Sequence, residues 1–206
     1  MSARERILAR VRAAPAGSSP HPGGFYPAPR SASWESFAAA LDLVAGVAHG
    51  PVARAQCGAL VAGLCATWTD GGRILASEAA CALLGPGPWA PIPTAADPHS
   101  LADVAVAILV GATPVAENGA IALDGREARP RALHVLCERL VLLVDPLDVV
   151  PDLHAAFARM PPGALEHHHF TWVSGPSKTA DIESTLVIGA HGPRALAAVG
   201  VQSLSA

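Results

Sequence analysis

Apolar side chains recur every three or four positions in three stretches of the chain, and this spacing predicts amphipathic helices. The stretches are residues 2–14, 34–48 and 53–68. In the first of them, Ile7, Leu8 and Val11 share one helical face while arginines occupy the others. The second helix is expected to end near Gly46 or to run into a short strand around Val47.

Shorter apolar runs, bounded by turn residues, predict strands between the helices. Candidate strands are residues 73–76, 101–109, 119–123, 133–137, 140–144 and 170–173. Two more helices are predicted at residues 78–84, with Ser77 as N-cap, and at residues 149–160, with Pro151 in the first turn. The repeated order of helix, turn and strand indicates an α/β, three-layer domain with a mainly parallel sheet.

A segment rich in proline, glycine and serine separates the first helix from this pattern. No regular element persists in such a composition, so it is expected to be a linker. We therefore predict an amino-terminal amphipathic helix and linker at residues 1–33 and an α/β domain at residues 34–206.

Composition narrows the class of protein. Hydrophobic residues make up 51% of the 206 residues and charged residues 15%, as in a globular chain. The longest apolar stretch, residues 104–116, is shorter than the ~20 residues that a membrane-spanning helix needs. The net charge of −3 comes from interspersed residues without a basic stripe, which disfavours nucleic acid as a partner. With no apolar secretory segment after the charged start, a cytoplasmic protein is expected.

The cysteines and histidines do not predict a metal centre. The four cysteines are scattered without a Cys-x-x-Cys pair, so buried free thiols are the favoured interpretation: Cys57, Cys65, Cys81 and Cys137. The consecutive histidines 167–169 would alternate faces in a strand, and no carboxylate or cysteine stands at a metal-site spacing from them. A solvated loop tip is the favoured interpretation, and neither metal nor cofactor is expected.

The clearest candidate for chemistry follows the predicted strand at residues 170–173. A Ser-Gly-Pro turn leads into hydroxyls and a cation, and acidic residues come next, where negative charge favours the first turn of a helix. Free backbone N–H groups, hydroxyls and a lysine at a helix start can bind an anion. The predicted anion or substrate ligands are Ser174, Gly175, Ser177, Lys178, Thr179 and Asp181. The alternative is an ordinary turn with an exposed lysine.

A second candidate is the Glu-Asn-Gly sequence at residues 117–119. At the edge of a sheet, Glu117 can serve as nucleophile or general base, and Gly119 lets a substrate approach the backbone. A plain turn is the favoured alternative, because Asn-Gly is a strong turn signal. His191 lies in a Gly-Pro turn before the apolar run at residues 195–201 and is the histidine most suited to function. Neither a Walker motif nor a Gly-x-Gly-x-x-Gly fingerprint is present.

The segment SGPSKTADIESTLVIGAHGP, residues 174–193, resembles the carboxyl-terminal signature of the lactate utilization protein C family, the LUD-domain proteins. The run AVAILVGATPVAENGAIAL is similar to the family's apolar strand and following turn, with Asn118 where the family usually has threonine. The amino-terminal helix, the linker and Trp34-x-x-Phe37 also fit the family's layout. The resemblance therefore covers nearly the whole chain.

This resemblance implies a fold similar to the superfamily of ribose-phosphate isomerases, glucosamine-phosphate deaminases and CoA transferases. It also implies a role in oxidising L-lactate to pyruvate with two partner proteins that carry iron–sulfur clusters. Because this chain lacks the cysteine spacing for a cluster, it is expected to be a non-redox accessory subunit. The alternative is a stand-alone enzyme or binding protein for a phosphorylated or CoA-like molecule, with Glu117 as base and Lys178 on the anion. Whether the chain is an enzyme stays open at this point.

Overall fold

The computed structural model describes residues 2–13, 31–93, 97–125, 130–160, 170–181 and 184–204. The linker segment 14–30 and the histidines 167–169 lie outside these residues. The helices are α1 Ala3–Ala13, α2 Trp34–Leu43, α3 Arg54–Trp68, α4 Glu78–Leu84, α5 Leu133–Leu136 and α6 Leu153–Ala158. The strands are β1 Val47–Val52, β2 Arg73–Ala76, β3 Ala90–Pro91, β4 Val104–Val110, β5 Ile121–Asp124, β6 Arg139–Val144, β7 Phe170–Val173, β8 Lys178–Thr179, β9 Val187–Ile188 and β10 Ala195–Val201.

A six-stranded sheet forms the centre of the fold, in the order β1-β10-β6-β4-β2-β3. Every pairing in it is parallel. The three middle strands β4, β6 and β10 are almost continuously apolar and buried, because a parallel sheet is covered on both faces. The predicted α/β class with a mainly parallel sheet is confirmed.

Successive side chains of the middle strands point to opposite faces and build two cores. Leu140 and Leu142 pack on the face covered by α2, β5 and α5. Val141 and Leu143 pack on the other face, against α3 and α4. The sheet therefore has helices on one side, and helices plus a small second sheet on the other.

The small second sheet is antiparallel and pairs β5 with β7. It brings together two segments far apart in the chain, since Ile121 pairs with Val173 and Asp124 with Phe170. The chain before β5 and the chain after β7 thus both run close to α2. This proximity positions most of the candidate residues.

Capping residues mark where several helices begin. The Ser77 hydroxyl accepts the Ala80 N–H at 3.2 Å, as the sequence predicts for α4. The last predicted helix starts later than expected, at Leu153, because Asp152 caps it by accepting the Ala155 N–H at 2.8 Å. Pro151 therefore precedes the cap instead of lying in the first turn.

The strand predicted at residues 133–137 is wrong, because this segment is the short helix α5. Hydrogen bonds of the helical type join Leu136 N–H to the Ala132 carbonyl and Cys137 N–H to the Leu133 carbonyl. β4 and β6 are already hydrogen-bonded neighbours, so no strand can enter the sheet between them. The apolar run instead buries Leu133 and leaves Val135 and Leu136 partly exposed.

No helix in the part of the chain that the structure describes is both long and apolar enough to cross a membrane. The division into residues 1–33 and 34–206 stays a prediction.

Candidate functional site

The signature segment, residues 174–193, forms a hairpin where a helix start was predicted. β8 pairs with β9 antiparallel, with Lys178 opposite Ile188 and Thr179 opposite Val187. The Asp181 N–H donates to the Thr179 hydroxyl at 3.3 Å, which turns the chain locally and competes with helical bonding. Asp181 therefore belongs to the turn region that follows β8 and not to a helix dipole site.

Lys178 reaches the carboxyl-terminal end of α2. Its ammonium nitrogen lies 2.5 Å from the carbonyl oxygen of Val44, the C-cap residue of that helix. The carboxyl end of a helix carries partial negative charge on its unpaired carbonyls, so a lysine there is stabilising. The positive charge is thus directed at the protein's own backbone.

Two glycines allow the chain to approach α2 closely. Gly119 has φ +67°, and a Cβ built on it would lie 2.6 Å from the Leu41 Cα. Gly175 has φ +72°, and a Cβ there would collide with the Val44 carbonyl oxygen. Only glycine tolerates both the left-handed backbone and the missing space. We call this contact of Gly119, Gly175 and Lys178 with α2 the α2 junction.

Other polar groups of the signature segment also bond within the protein. The Ser174 hydroxyl donates to the Asn118 carbonyl at 2.7 Å and ties the segment to the Glu-Asn-Gly turn. The Ser177 N–H donates to the Pro193 carbonyl at 2.9 Å and joins the two ends of the segment. Donors that were predicted to face an anion therefore hold the hairpin in place.

Glu117 lies at the amino-terminal end of α6. Its carboxylate accepts the Leu153 N–H at 3.2 Å, where the helix dipole favours negative charge. The next residue, Asn118, accepts the Ala120 N–H on its side-chain oxygen at 3.0 Å, as in an Asx turn. Glu117 is thus positioned as a capping carboxylate beside a plain Asn-Gly turn.

His191 lies in a different environment, in an open cleft of about 740 Å³. Residues that immediately precede four strands of the sheet help to line it: Gly72, Asp103, Glu138 and Arg194. We call it the amino-end cleft, because it lies at the amino-terminal ends of the strands. Open parallel sheets usually bind ligands at the opposite, carboxyl-terminal ends.

Arg194 and Glu138 line this cleft, but the sequence alone did not predict them as site residues. The Arg194 guanidinium lies 3.3 Å from one oxygen of the Glu138 carboxylate, and Arg139 lies 3.3 Å from the other. Two arginines thus share the Glu138 carboxylate, and the other carboxylate of the lining, Asp103, pairs with Arg73 at 2.6 Å. The signal available in the sequence was the position of Arg194, directly after His-Gly-Pro.

The candidate residues thus separate into distinct places. Gly119, Ser174, Gly175 and Lys178 meet around the end of α2 and the Asn118 turn. Thr179 and Asp181 belong to the hairpin, while Ser177 contacts the loop that carries His191 through Gly192. Neither Glu117 nor Lys178 is among the residues that line the amino-end cleft.

The cysteines are buried thiols, as the sequence predicts. Burial raises the pKa of Cys57 and of Cys65 to about 11 and that of Cys137 to about 12. Cys81 is less buried, and its pKa is raised for the same reason. Among the described residues, no group of three or more potential ligands is arranged to hold a metal ion.

The hairpin exposes apolar side chains that the sequence-based reasoning also missed. Leu186 is 67% exposed and Ile188 is 45% exposed. Both lie in the short run that closes the hairpin, after the polar residues that anchor it. Two large apolar side chains that project together from a short ribbon form a surface that can contact another protein.

Residues 99–199 match the family model of the LUD domain. The lactate utilization protein C of Geobacillus kaustophilus is 36% identical over 83 residues, which cover 38% of this chain and 35% of that protein. The protein of the same name from Deinococcus radiodurans is 34% identical over 105 residues, half of each chain. The chain therefore spans about a third to a half of the length of these curated relatives.

A solved structure has the same fold. The crystal structure of a DUF162 family protein from Deinococcus radiodurans superposes with a TM-score of 0.61 over 85% of this chain and 99% of that chain. Its sequence identity is 18%, so the likeness concerns the fold alone.

Proposed function

Because the chain belongs to the LUD-domain family, among whose relatives are proteins named lactate utilization protein C, we propose that it is a component of L-lactate utilization. Within that process it acts as a non-redox accessory subunit, and iron–sulfur partner proteins carry the electrons in the oxidation of L-lactate to pyruvate.

The observation that carries this proposal is the set of contacts and exposed side chains of the signature segment. Lys178 and Ser174 bond to backbone carbonyls at the α2 junction and beside it. The same segment leaves Leu186 and Ile188 exposed. An anchored ribbon with apolar side chains on its surface suits contact with a partner protein better than chemistry on a small molecule.

The thiols support the non-redox part of the proposal. Burial raises the pKa of Cys57, Cys65 and Cys137, as is usual for thiols that pack in the core of a domain. Cys57 and Cys65 lie two turns apart on α3, and Cys137 packs in the core on the other face of the sheet. Their separation fits a chain that holds no cluster, and under the proposal the electron-carrying clusters lie in the partners.

Affinity purification of the intact chain from lactate-grown cells tests the partnership. Under the proposal, tagged wild-type chain recovers iron-containing proteins, and the double variant Leu186→Ser/Ile188→Ser recovers much less of them. Leu186→Met/Ile188→Val keeps the apolar surface and serves as the matched control. Recovery without any iron–sulfur partner, or equal recovery by the serine variant, contradicts the proposed role of the hairpin.

A second candidate function is the binding of a small anion, phosphorylated or CoA-like. It is favoured by the amino-end cleft, whose volume of about 740 Å³ suits a small ligand and whose wall carries His191 and Arg194. Under this candidate His191 and Arg194 contact the anion, and Glu117 and Lys178, which do not line this cleft, act on binding only indirectly.

Thermal stability in the presence of L-lactate, phosphate and CoA tests the second candidate. A binding site predicts a ligand-induced rise in Tm that is reduced by Arg194→Gln and His191→Ala. Lys178→Ala and Glu117→Gln show whether those residues share in binding. The absence of a rise with all three probes, or a rise that none of the variants reduces, counts against a site at these residues.

A further inference from the structure

Helix α1 has an apolar face that no described part of the chain covers. None of its residues is buried, and Ile7 and Val11 are 62% and 66% exposed. These two residues are four positions apart and so lie on one face. Arg4 and Arg10 flank that face on either side, at the helical spacing of 100° per residue.

A helix of this length needs a surface to pack against. α1 has 11 residues, and isolated helices shorter than about 12–15 residues are marginal in water. Four arginines and one glutamate give α1 a net charge of +3. Since the whole chain carries −3, the remainder carries −6, and α1 is attracted to its own chain.

The described surface offers a groove of about 580 Å³ with matching chemistry. Its lining combines apolar and polar side chains with one carboxylate: Ala32, Ser33, Trp34, Glu35, Pro51, Pro146, Leu147, Gln202 and Ser203. Leu147 is 86% exposed. Because β1 and β10 end here and Pro146 follows β6, we call it the carboxyl-end groove.

The charge of the groove is negative. Hydrogen bonds from its own backbone N–H and from Ser33 lower the pKa of Glu35, so its carboxylate is ionised at neutral pH. Asp148 is exposed beside Leu147. The described lining residues include no lysine or arginine. Arg159, which bonds the Asp148 carbonyl at 3.1 Å, is a cation near the rim.

The chain that follows α1 leads to this groove. Ala32, Ser33 and Trp34 form part of its wall, so the polypeptide coming from α1 arrives there. The twenty residues between Ala13 and Trp34 can span up to about 65 Å when extended, more than enough for α1 to fold back.

We propose that α1 docks in the carboxyl-end groove of its own chain, with Ile7 and Val11 packed against Leu147. The flanking arginines then face Glu35 and Asp148. Docked in this way, α1 covers the carboxyl-terminal ends of β1, β10 and β6, the edge at which open parallel sheets usually receive ligands. The inference does not depend on the proposed function.

Hydrogen exchange of the intact chain tests the docking. We expect the α1 amides to exchange at least about tenfold more slowly in the wild type than in Ile7→Glu/Val11→Glu, because the variant loses the apolar contact. Leu147→Glu, in the groove, should produce the same loss. Ala9→Glu lies on the opposite face of α1, and Leu186→Glu lies on the hairpin, so both controls should retain protection. All these positions are exposed or lie on α1, so the core stays intact.

A cross-link identifies which chain supplies the groove. In the double variant Ile7→Cys/Leu147→Cys, oxidation should join the two cysteines within one chain and leave a monomer on a non-reducing gel. The native cysteines interfere little, because burial raises their pKa. Dimers as the main product, no cross-link, or α1 exchange unaffected by Leu147→Glu would each overturn the proposal.

Discussion

Gly119 belongs to a predicted catalytic motif, but in the structure it packs against helix α2. Its positive φ and the closeness of the Leu41 backbone leave no room for a side chain. The Asn-Gly sequence predicts the turn, but only the structure shows that α2 lies against it.

We predict that Gly119→Ala lowers the free energy of unfolding by several kcal/mol. The backbone strain costs about 1–3 kcal/mol and the clash with α2 adds a similar amount. Gly85→Ala is the matched control, because Gly85 has φ +69° but no atom within 4 Å of the added Cβ. Urea unfolding of both variants measures the difference, and equal losses would refute the close contact with α2.

Lys178 distinguishes a structural from a ligand-binding role for the signature segment. Replacing it by methionine removes the charge at the end of α2, and we predict a loss of about 1 kcal/mol in unfolding free energy. The measurement is urea unfolding at low and high salt, since salt screens part of this effect. Lys178→Arg should retain most of the stability. A methionine variant as stable as the wild type would mean that the lysine is free for another partner.

At the scale of elements, strong local signals predicted the structure well. β2 and β7 have the predicted bounds, and Ser77 caps α4 as expected. Capping and periodicity depend on neighbouring residues, so they can be read from a single sequence.

Elements that depend on distant partners could not be predicted in the same way. The apolar run of α5 fits a strand or a helix equally well, and the pairing of β4 with β6 decides between them. The hairpin of the signature segment depends on contacts with Val44 and Pro193. Val44 is remote in sequence, and Pro193 follows the segment that was predicted to be helical. The residues predicted to form one site lie in separate places for the same reason, because α2, α6 and β10 each position some of them.

The hairpin should tolerate polar substitution without loss of stability. Because Leu186 is largely exposed and Ile188 is nearly half exposed, we predict that Leu186→Ser/Ile188→Ser changes the free energy of unfolding by no more than about 0.5 kcal/mol per site. Urea unfolding beside Leu186→Met/Ile188→Val checks this. A large loss in the serine variant alone would show that these side chains pack on the domain and are not a free surface.

At the scale of the whole molecule, the buried thiols make stability depend on pH. Thiols with a pKa raised in the folded state stabilise the protein below the unfolded value of 9.0, and this contribution is lost as pH rises above it. We predict a fall in unfolding free energy of roughly 1–2 kcal/mol for each such thiol between about pH 8 and about pH 10.5. Cys65→Ser should show a smaller fall than the wild type. An identical pH dependence would contradict the effect of burial on Cys65.

The central claim is that this LUD-domain chain serves lactate utilization through the exposed surface of its signature hairpin. Growth of a deletion strain on L-lactate as sole carbon source, complemented with each hairpin variant at equal protein level, tests it most directly. We predict that the deletion abolishes growth, that the wild type and Leu186→Met/Ile188→Val restore it, and that Leu186→Ser/Ile188→Ser does not. Normal growth of the deletion strain, or full rescue by the serine variant, would contradict the claim.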